Sequence, residues 1–113
     1  MERVLKSMIL DIDTHANVKL LNPNDFKEFH IQCSEPRSVI DICKILDLLQ
    51  QGNKVIDEKH LWLCNELITE LAVDANEDKW ATGFASMLDY ATSKGWTKNN
   101  RTLIRTHIEW AKV

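Results

Sequence analysis

The chain has 113 residues, which is enough for one compact domain and too few for two. Hydrophobic residues make up 44% and charged residues 27%, which excludes a disordered or collagen-like chain, and the net charge of −3 lacks the basic excess of nucleic-acid-binding proteins. No long apolar run and no secretory signal is visible, so we expect a single domain over residues 1–113 in the cytoplasm, with neither membrane nor nucleic acid as a partner.

Three strands are predicted in the first third of the chain. Apolar residues share one parity over residues 4–12, a short second strand covers 17–21 before an Asn-Pro-Asn-Asp turn, and residues 26–33 alternate between apolar and polar. In the third strand, Glu28, His30 and Gln32 fall on the face expected to meet solvent.

The first strand ends in an Asp-x-Asp sequence. Asp11 and Asp13 after an apolar run resemble the nucleophile motif of haloacid dehalogenase-like phosphatases, a family that has Thr or Val where this chain has His15. The later Lys and Asp motifs of that family are also missing. We therefore interpret the motif as a strand running out into a polar turn, with a metal site at Asp11, Asp13 and His15 as the alternative.

A helix and then a strand are predicted in the middle of the chain. Ser34 is expected to cap the helix, Gly52 to end it, and its apolar stripe comprises Val39, Ile42, Cys43, Leu46 and Leu49. Residues 60–64 fit either a strand or the front of a helix over 57–73. We favour the strand, with His60 and Trp62 on its outer face.

A long helix and a final strand are predicted in the last third. Asp74 or Asn76 is expected to cap the helix, and Gly95 to end it before Trp96. Its buried face is expected to carry Trp80, Phe84, Met87 or Leu88, and Ala91. Residues 102–110 alternate and are rich in β-branched side chains, which favours a strand.

Strands and helices follow one another without a regular βαβ rhythm, so the predicted fold class is α+β. We expect a mostly antiparallel sheet with about three helices packed on one face, which leaves the other face wet and polar. The candidate ligand- or partner-binding residues lie on that polar face: His30, His60, Trp62, Arg105, His107 and Glu109. A solvated face without a function is the alternative interpretation.

Cys33, Cys43 and Cys64 form no Cys-x-x-Cys pair, and each lies in an apolar stretch. We predict three reduced, buried thiols in the cytoplasm. The alternative is a metal site that uses Cys64 with His60, at a helical spacing of four residues, and two ligands from elsewhere.

The segment from Gly95 to Trp110 resembles the ending of a group of small bacterial proteins. Their tails run Gly-Trp, a short polar turn, and then Ile/Val-Arg-x-His-Ile/Val-Glu-Trp, as this chain does. Residues 60–63 and the helix from Trp80 to Tyr90 are similar to the same group. The resemblance implies a bacterial source and strands at 60–63 and 103–110, and it implies no activity.

Three glycines are too few to build the usual phosphate-binding loops, and no hydrolase or kinase signature is present. We expect a small bacterial binding or accessory protein that acts through the polar face of the sheet or through an exposed Trp surface, with no catalytic residue, cofactor or metal. Its partner would be a protein, a second copy of the chain in a homodimer, or a small molecule. The alternatives are an enzyme using His107 or His30 as general base, oriented by Glu109 or Glu28, and a structural subunit of a larger assembly.

Overall fold

The computed structural model describes residues 7–72 and 77–110, in which there are seven strands and three helices. The strands are β1 (Met8–Ile12), β2 (Val18–Leu21), β3 (Phe29–Cys33), β4 (Lys54–Val55), β5 (His60–Cys64), β6 (Thr97–Lys98) and β7 (Leu103–Trp110). The helices are α1 (Val39–Asp47), α2 (Glu66–Leu71) and α3 (Asp78–Ser93). Within these described ranges, no helix has the length and apolar character needed to cross a membrane.

All seven strands belong to one mixed sheet with the order β2-β1-β3-β7-β5-β4, and β6 also pairs with β7. The pairs β1–β3 and β3–β7 are parallel, whereas the others are antiparallel. The α+β class is therefore confirmed, and the expectation of a mostly antiparallel sheet is wrong. Parallel pairs need crossover connections. Here these are residues 13–28, which include β2, and residues 34–102, so neither leaves a βαβ pattern in the sequence.

β7 joins the two halves of the sheet. One of its edges pairs with β5 from Leu103 to His107. Along the other edge, β6 pairs with Leu103 and Ile104, and β3 pairs with residues 108–110. The N–H of Arg105 still donates to the Trp96 carbonyl on that edge. Thr106 and His107 therefore lie at a break between β6 and β3, and this break positions the candidate site.

The core lies on the apolar face of the sheet. Leu10, Ile31 and Ile108 form a row across β1, β3 and β7, and all three are buried. They belong to one cluster with buried side chains of all three helices, among them Ile42, Leu46, Leu67, Ile68, Trp80 and Phe84. Full burial of one such side chain contributes roughly 1.5–3 kcal/mol to folding.

The first helix is shorter at both ends than predicted. It begins after Ser38, whose Oγ accepts a hydrogen bond from the Asp41 N–H, so Ser34 is not the cap. It ends at Asp47, and Leu49 is exposed rather than part of the buried stripe. Gly52 does adopt a left-handed conformation with φ of 110°, but in the loop beyond the helix.

The final helix has the predicted buried face and the predicted end. Trp80, Phe84, Met87 and Ala91 are buried. The N–H of Trp96 donates to the carbonyl of Ala91 and that of Gly95 to Thr92, which is the hydrogen-bond pattern of a Schellman motif. At the other end Glu77 occupies the N-cap position, and the predicted caps Asp74 and Asn76 lie outside the described residues.

The strand prediction for residues 60–64 is confirmed by β5, and that for 102–110 by β7. The short strands β4 and β6 were not predicted, because two residues are too few to show an alternating pattern. Cys33, Cys43 and Cys64 are buried free thiols, as predicted.

Candidate functional site

Three histidines form a row across neighbouring strands on the polar face of the sheet. His60 on β5 lies directly opposite His107 on β7. His30 on β3 lies on the other side of His107, and their rings stack at a centroid distance of 5.3 Å with 25° between the ring planes. The alternation of the strands predicted this shared face, and the pairing registers produce it.

Glu109 links two of these histidines. Its Oε2 lies 2.8 Å from Nε2 of His30, and its Oε1 lies 3.9 Å from Nε2 of His107. The side chain of His30 is 13% exposed, whereas those of His107 and Glu109 are 48% and 58% exposed. The histidine on β3 is therefore held within the protein, while the two β7 side chains face solvent.

The pKa of His107 is lowered from its ordinary value. Partial burial of the half-exposed ring is the main cause, His30 and His60 add to the lowering, and Glu109 and Glu28 oppose it. Because a histidine titrates ordinarily near pH 6.5, this imidazole is neutral at pH 7. A neutral ring nitrogen can accept a proton or bind a metal ion.

The side chains of the other three predicted residues, His60, Trp62 and Arg105, are not part of the group formed by His30, His107 and Glu109. His60 turns toward Asp57, with 2.8 Å between Nδ1 and Oδ1. Trp62 lies under the ammonium of Lys98, which is 5.6 Å from the ring centroid. Arg105 is the cross-strand partner of Trp62, and it also lines a neighbouring cavity.

A cavity of about 560 Å³ opens at the break between β3 and β6. One wall is polar and includes Glu28, His30, Arg105, His107 and Glu109. The other wall is largely apolar and includes Phe26, Met87, Tyr90, Ala91 and Trp96. Its volume lies within the roughly 300–1,000 Å³ range of small-molecule sites, which are typically apolar with a few convergent polar groups.

Reasoning from the sequence missed the apolar wall except for Trp96. Met87 and Ala91 were predicted as core residues of α3, and they are buried while also lining the cavity. The sequence left Trp96 open between covering the helix end and forming an exposed contact surface, and it is 38% exposed and in edge contact with Tyr90. The signal that could have identified this wall is an exposed aromatic pair at the end of a helix that precedes the candidate strand.

The Asp-x-Asp motif forms a turn, as predicted. Oδ1 of Asp13 accepts hydrogen bonds from the backbone N–H groups of His15 and Asn17. Asp11 is buried within β1, where Nε2 of Gln32 donates to its carboxylate. The alternative metal site is not formed, because Asp13 is occupied by the turn that connects β1 to β2.

The Cys64 and His60 alternative is not formed either. Cys64 lies in the buried end of β5, and His60 contacts Asp57. Within residues 7–72 and 77–110, the group of His, Cys or acidic side chains whose ligand atoms converge is instead His30, His107 and Glu109, with all of these atoms within 4.8 Å of one another.

Comparison with known proteins gives no match: no protein-family model, no curated protein and no solved structure matches this chain. The resemblance of the C-terminal segment to small bacterial proteins stays a prediction. The chemistry of the site therefore follows from its own residues, which are two imidazoles and a carboxylate beside a half-apolar cavity.

Proposed function

We propose that the protein binds a small organic molecule in the cavity between β3, β7 and the end of α3. The observation that carries this proposal is the division of the cavity into an apolar wall and a polar wall. A ligand that is complementary to both walls has a flat apolar body and a head group that donates hydrogen bonds to the protein and accepts hydrogen bonds from it. The body would lie against Met87, Tyr90 and Trp96.

The head group would meet side chains of both charges. Arg105 supplies a guanidinium, Glu109 supplies a carboxylate, and His107 supplies a ring nitrogen that either donates or accepts. Glu28 is already engaged, because it accepts a hydrogen bond from the Ser7 hydroxyl. These groups favour a head that carries both a donor and an acceptor, such as a carboxylic acid next to a hydroxyl or amino group.

The test is a thermal-unfolding screen of the full-length protein against such compounds, with a metal chelator in every well. A ligand at about 100 times its Kd stabilises the folded state by roughly 2.7 kcal/mol. Arg105→Gln should reduce the shift through the head group, and Tyr90→Ala should reduce it through the apolar body. Lys44→Gln and Ile40→Ala, at exposed positions of α1, are the matched controls. Compounds that stabilise all four variants like the native chain would contradict the proposal.

A specific contact favours a second function, proton transfer. Glu109 lies 2.8 Å from His30, which is the arrangement of a carboxylate orienting a general base. In that function a bound compound would be converted, and Glu109→Gln would reduce turnover more than binding. The screen separates the two functions, since each stabilising compound can be recovered and examined for conversion.

Self-association is supported by exposed apolar side chains in one stretch of the chain. Ile40, Leu48, Leu49, Val55 and Ile56 are all exposed. A homodimer, a cytoplasmic location and a bacterial source remain predictions from the sequence. The structural-subunit alternative also stays a prediction, and it requires a partner protein rather than a small molecule.

A further inference from the structure

The three side chains that converge at the polar edge of the cavity come from two adjacent strands. Ile31 pairs with Ile108 and Gln32 with Glu109 in the parallel ladder between β3 and β7. This register brings His30 beside His107 and places Glu109 on the same face. The rigid sheet therefore holds all three side chains, and no loop is needed to assemble them.

We propose that His30, His107 and Glu109 bind one divalent transition-metal ion of the Zn²⁺ type. This goes beyond the proposed function, because it needs the three side chains alone and no organic ligand. Two imidazoles and a carboxylate are a donor set that suits Zn²⁺ and its neighbours, whereas Mg²⁺ and Ca²⁺ prefer oxygen ligands throughout.

The ligand atoms of the three side chains lie within 4.8 Å of one another, close to the spacing that such an ion requires. Around tetrahedral Zn²⁺ with bonds of about 2.0–2.2 Å, neighbouring ligand atoms lie roughly 3.3–3.6 Å apart. The two contacts of Glu109, at 2.8 Å to His30 and 3.9 Å to His107, fall on either side of that spacing. Because His107 and Glu109 are about half exposed, their side chains have room to rotate toward it.

Three protein ligands leave a coordination position open, as in catalytic rather than structural zinc sites. All three residues also line the cavity, so the open position faces the space in which a small molecule would lie. Metal ions bind imidazole and carboxylate groups in their deprotonated forms, so binding at this cluster would weaken in acid.

The experiment titrates the metal-free, full-length protein with Zn²⁺ by calorimetry and with Co²⁺ by visible absorption. We expect one ion per chain and a Co²⁺ spectrum of nitrogen and oxygen ligands, without the intense bands of thiolate coordination. His107→Gln and Glu109→Gln should each lower the affinity by at least about 10–100-fold, the loss known for residues that only support metal ligands.

The matched control is His15→Gln, which removes an exposed histidine from the β1–β2 turn and should leave the affinity unchanged. His30→Gln changes a more buried residue, so its thermal unfolding without metal is measured first. If the His30→Gln variant fails to fold, the variants at His107 and Glu109 are sufficient to test the site. Three results would each overturn the site. The first is a native metal affinity in both the His107→Gln and Glu109→Gln variants, and the second is thiolate bands in the Co²⁺ spectrum. The third is a metal affinity that falls as much in the His15→Gln control as in these variants. None of these results affects the proposed function, which is tested with metal chelated.

Discussion

At the scale of single residues, one buried amide closes the loop between α1 and β5. Asn53 is only 6% exposed. Its Oδ1 accepts a hydrogen bond from the Cys64 N–H at 2.7 Å, and its Nδ2 donates to Asp47 and to the Gln50 carbonyl at the same distance. The sequence indicates that a helix ends at Gly52 and Asn53. It does not indicate that the Asn53 side chain is buried, because its partner on β5, Cys64, lies eleven residues away.

Asn53→Ala should lower the free energy of unfolding by about 2–3 kcal/mol, because it leaves the buried N–H of Cys64 without its acceptor. Urea unfolding followed by circular dichroism measures the change. The control is Asn17→Ala, which removes a long, exposed side-chain hydrogen bond to Asp13. Equal losses in the two variants would show that the buried network contributes nothing beyond an ordinary surface contact.

At the scale of elements, α3 approaches the segment before β3 so closely that only glycine fits. A Cβ at Gly83 would overlap the ring of Phe26. That ring makes an edge contact with Trp80, and Trp80 stacks on Phe84 and donates its indole N–H to the Pro23 carbonyl. The close approach therefore sets where residues 22–28 lie, and with them part of the cavity wall.

Gly83→Ala should destabilise the protein even though alanine is the better helix former by about 1 kcal/mol. The clash with Phe26 must displace an aromatic ring from a packed cluster, at a typical cost of about 1–3 kcal/mol. Thermal unfolding measures the difference. Ser86→Ala, on the exposed face of the same helix, is the control and should be neutral or stabilising.

A double-mutant cycle with Phe26→Leu identifies the cause of that loss. If the ring is responsible, Gly83→Ala becomes less destabilising in the Phe26→Leu background. An unchanged loss would mean that the helix backbone, rather than the aromatic contact, requires glycine.

The elements that the sequence predicts well are those whose periodicity is long enough to read. β7 has eight alternating residues, and the buried face of α3 repeats over three turns. The direction of β3 relative to β7 is not readable, because it depends on pairing between strands separated by 69 residues of chain, 34–102. The polar face was therefore predictable as a set of residues, whereas the contact between His30 and Glu109 was not.

At the scale of the whole molecule, two exposed carboxylates make the free energy of unfolding depend on pH in the acidic range. The N–H of Asn17 lowers the pKa of Asp13, with help from that of His15. The N–H of Lys59 lowers the pKa of Asp57, with help from the ring of His60. A carboxyl whose pKa is lower in the folded than in the unfolded chain stabilises fully above the unfolded value, near pH 4, and this contribution is lost as pH falls through the folded value.

Replacing both residues in Asp13→Asn/Asp57→Asn should therefore flatten the fall in unfolding free energy between pH 5 and pH 3, since asparagine keeps an acceptor but does not titrate. Urea midpoints at a series of pH values measure this slope. Glu70→Gln, at an exposed position of α2, is the control and should retain the native slope. A double variant with the native slope would show that other carboxylates govern acid unfolding.

The central position of β7 has a consequence for synthesis on the ribosome. Until Leu103–Trp110 has emerged, β3 and β5 each present an unpaired edge, and unpaired edges favour aggregation of nascent chains. The same late strand carries His107 and Glu109, so the cluster with His30 cannot exist before the sheet is closed. Occupancy of the cluster would thus report that the sheet of an individual molecule has closed around β7.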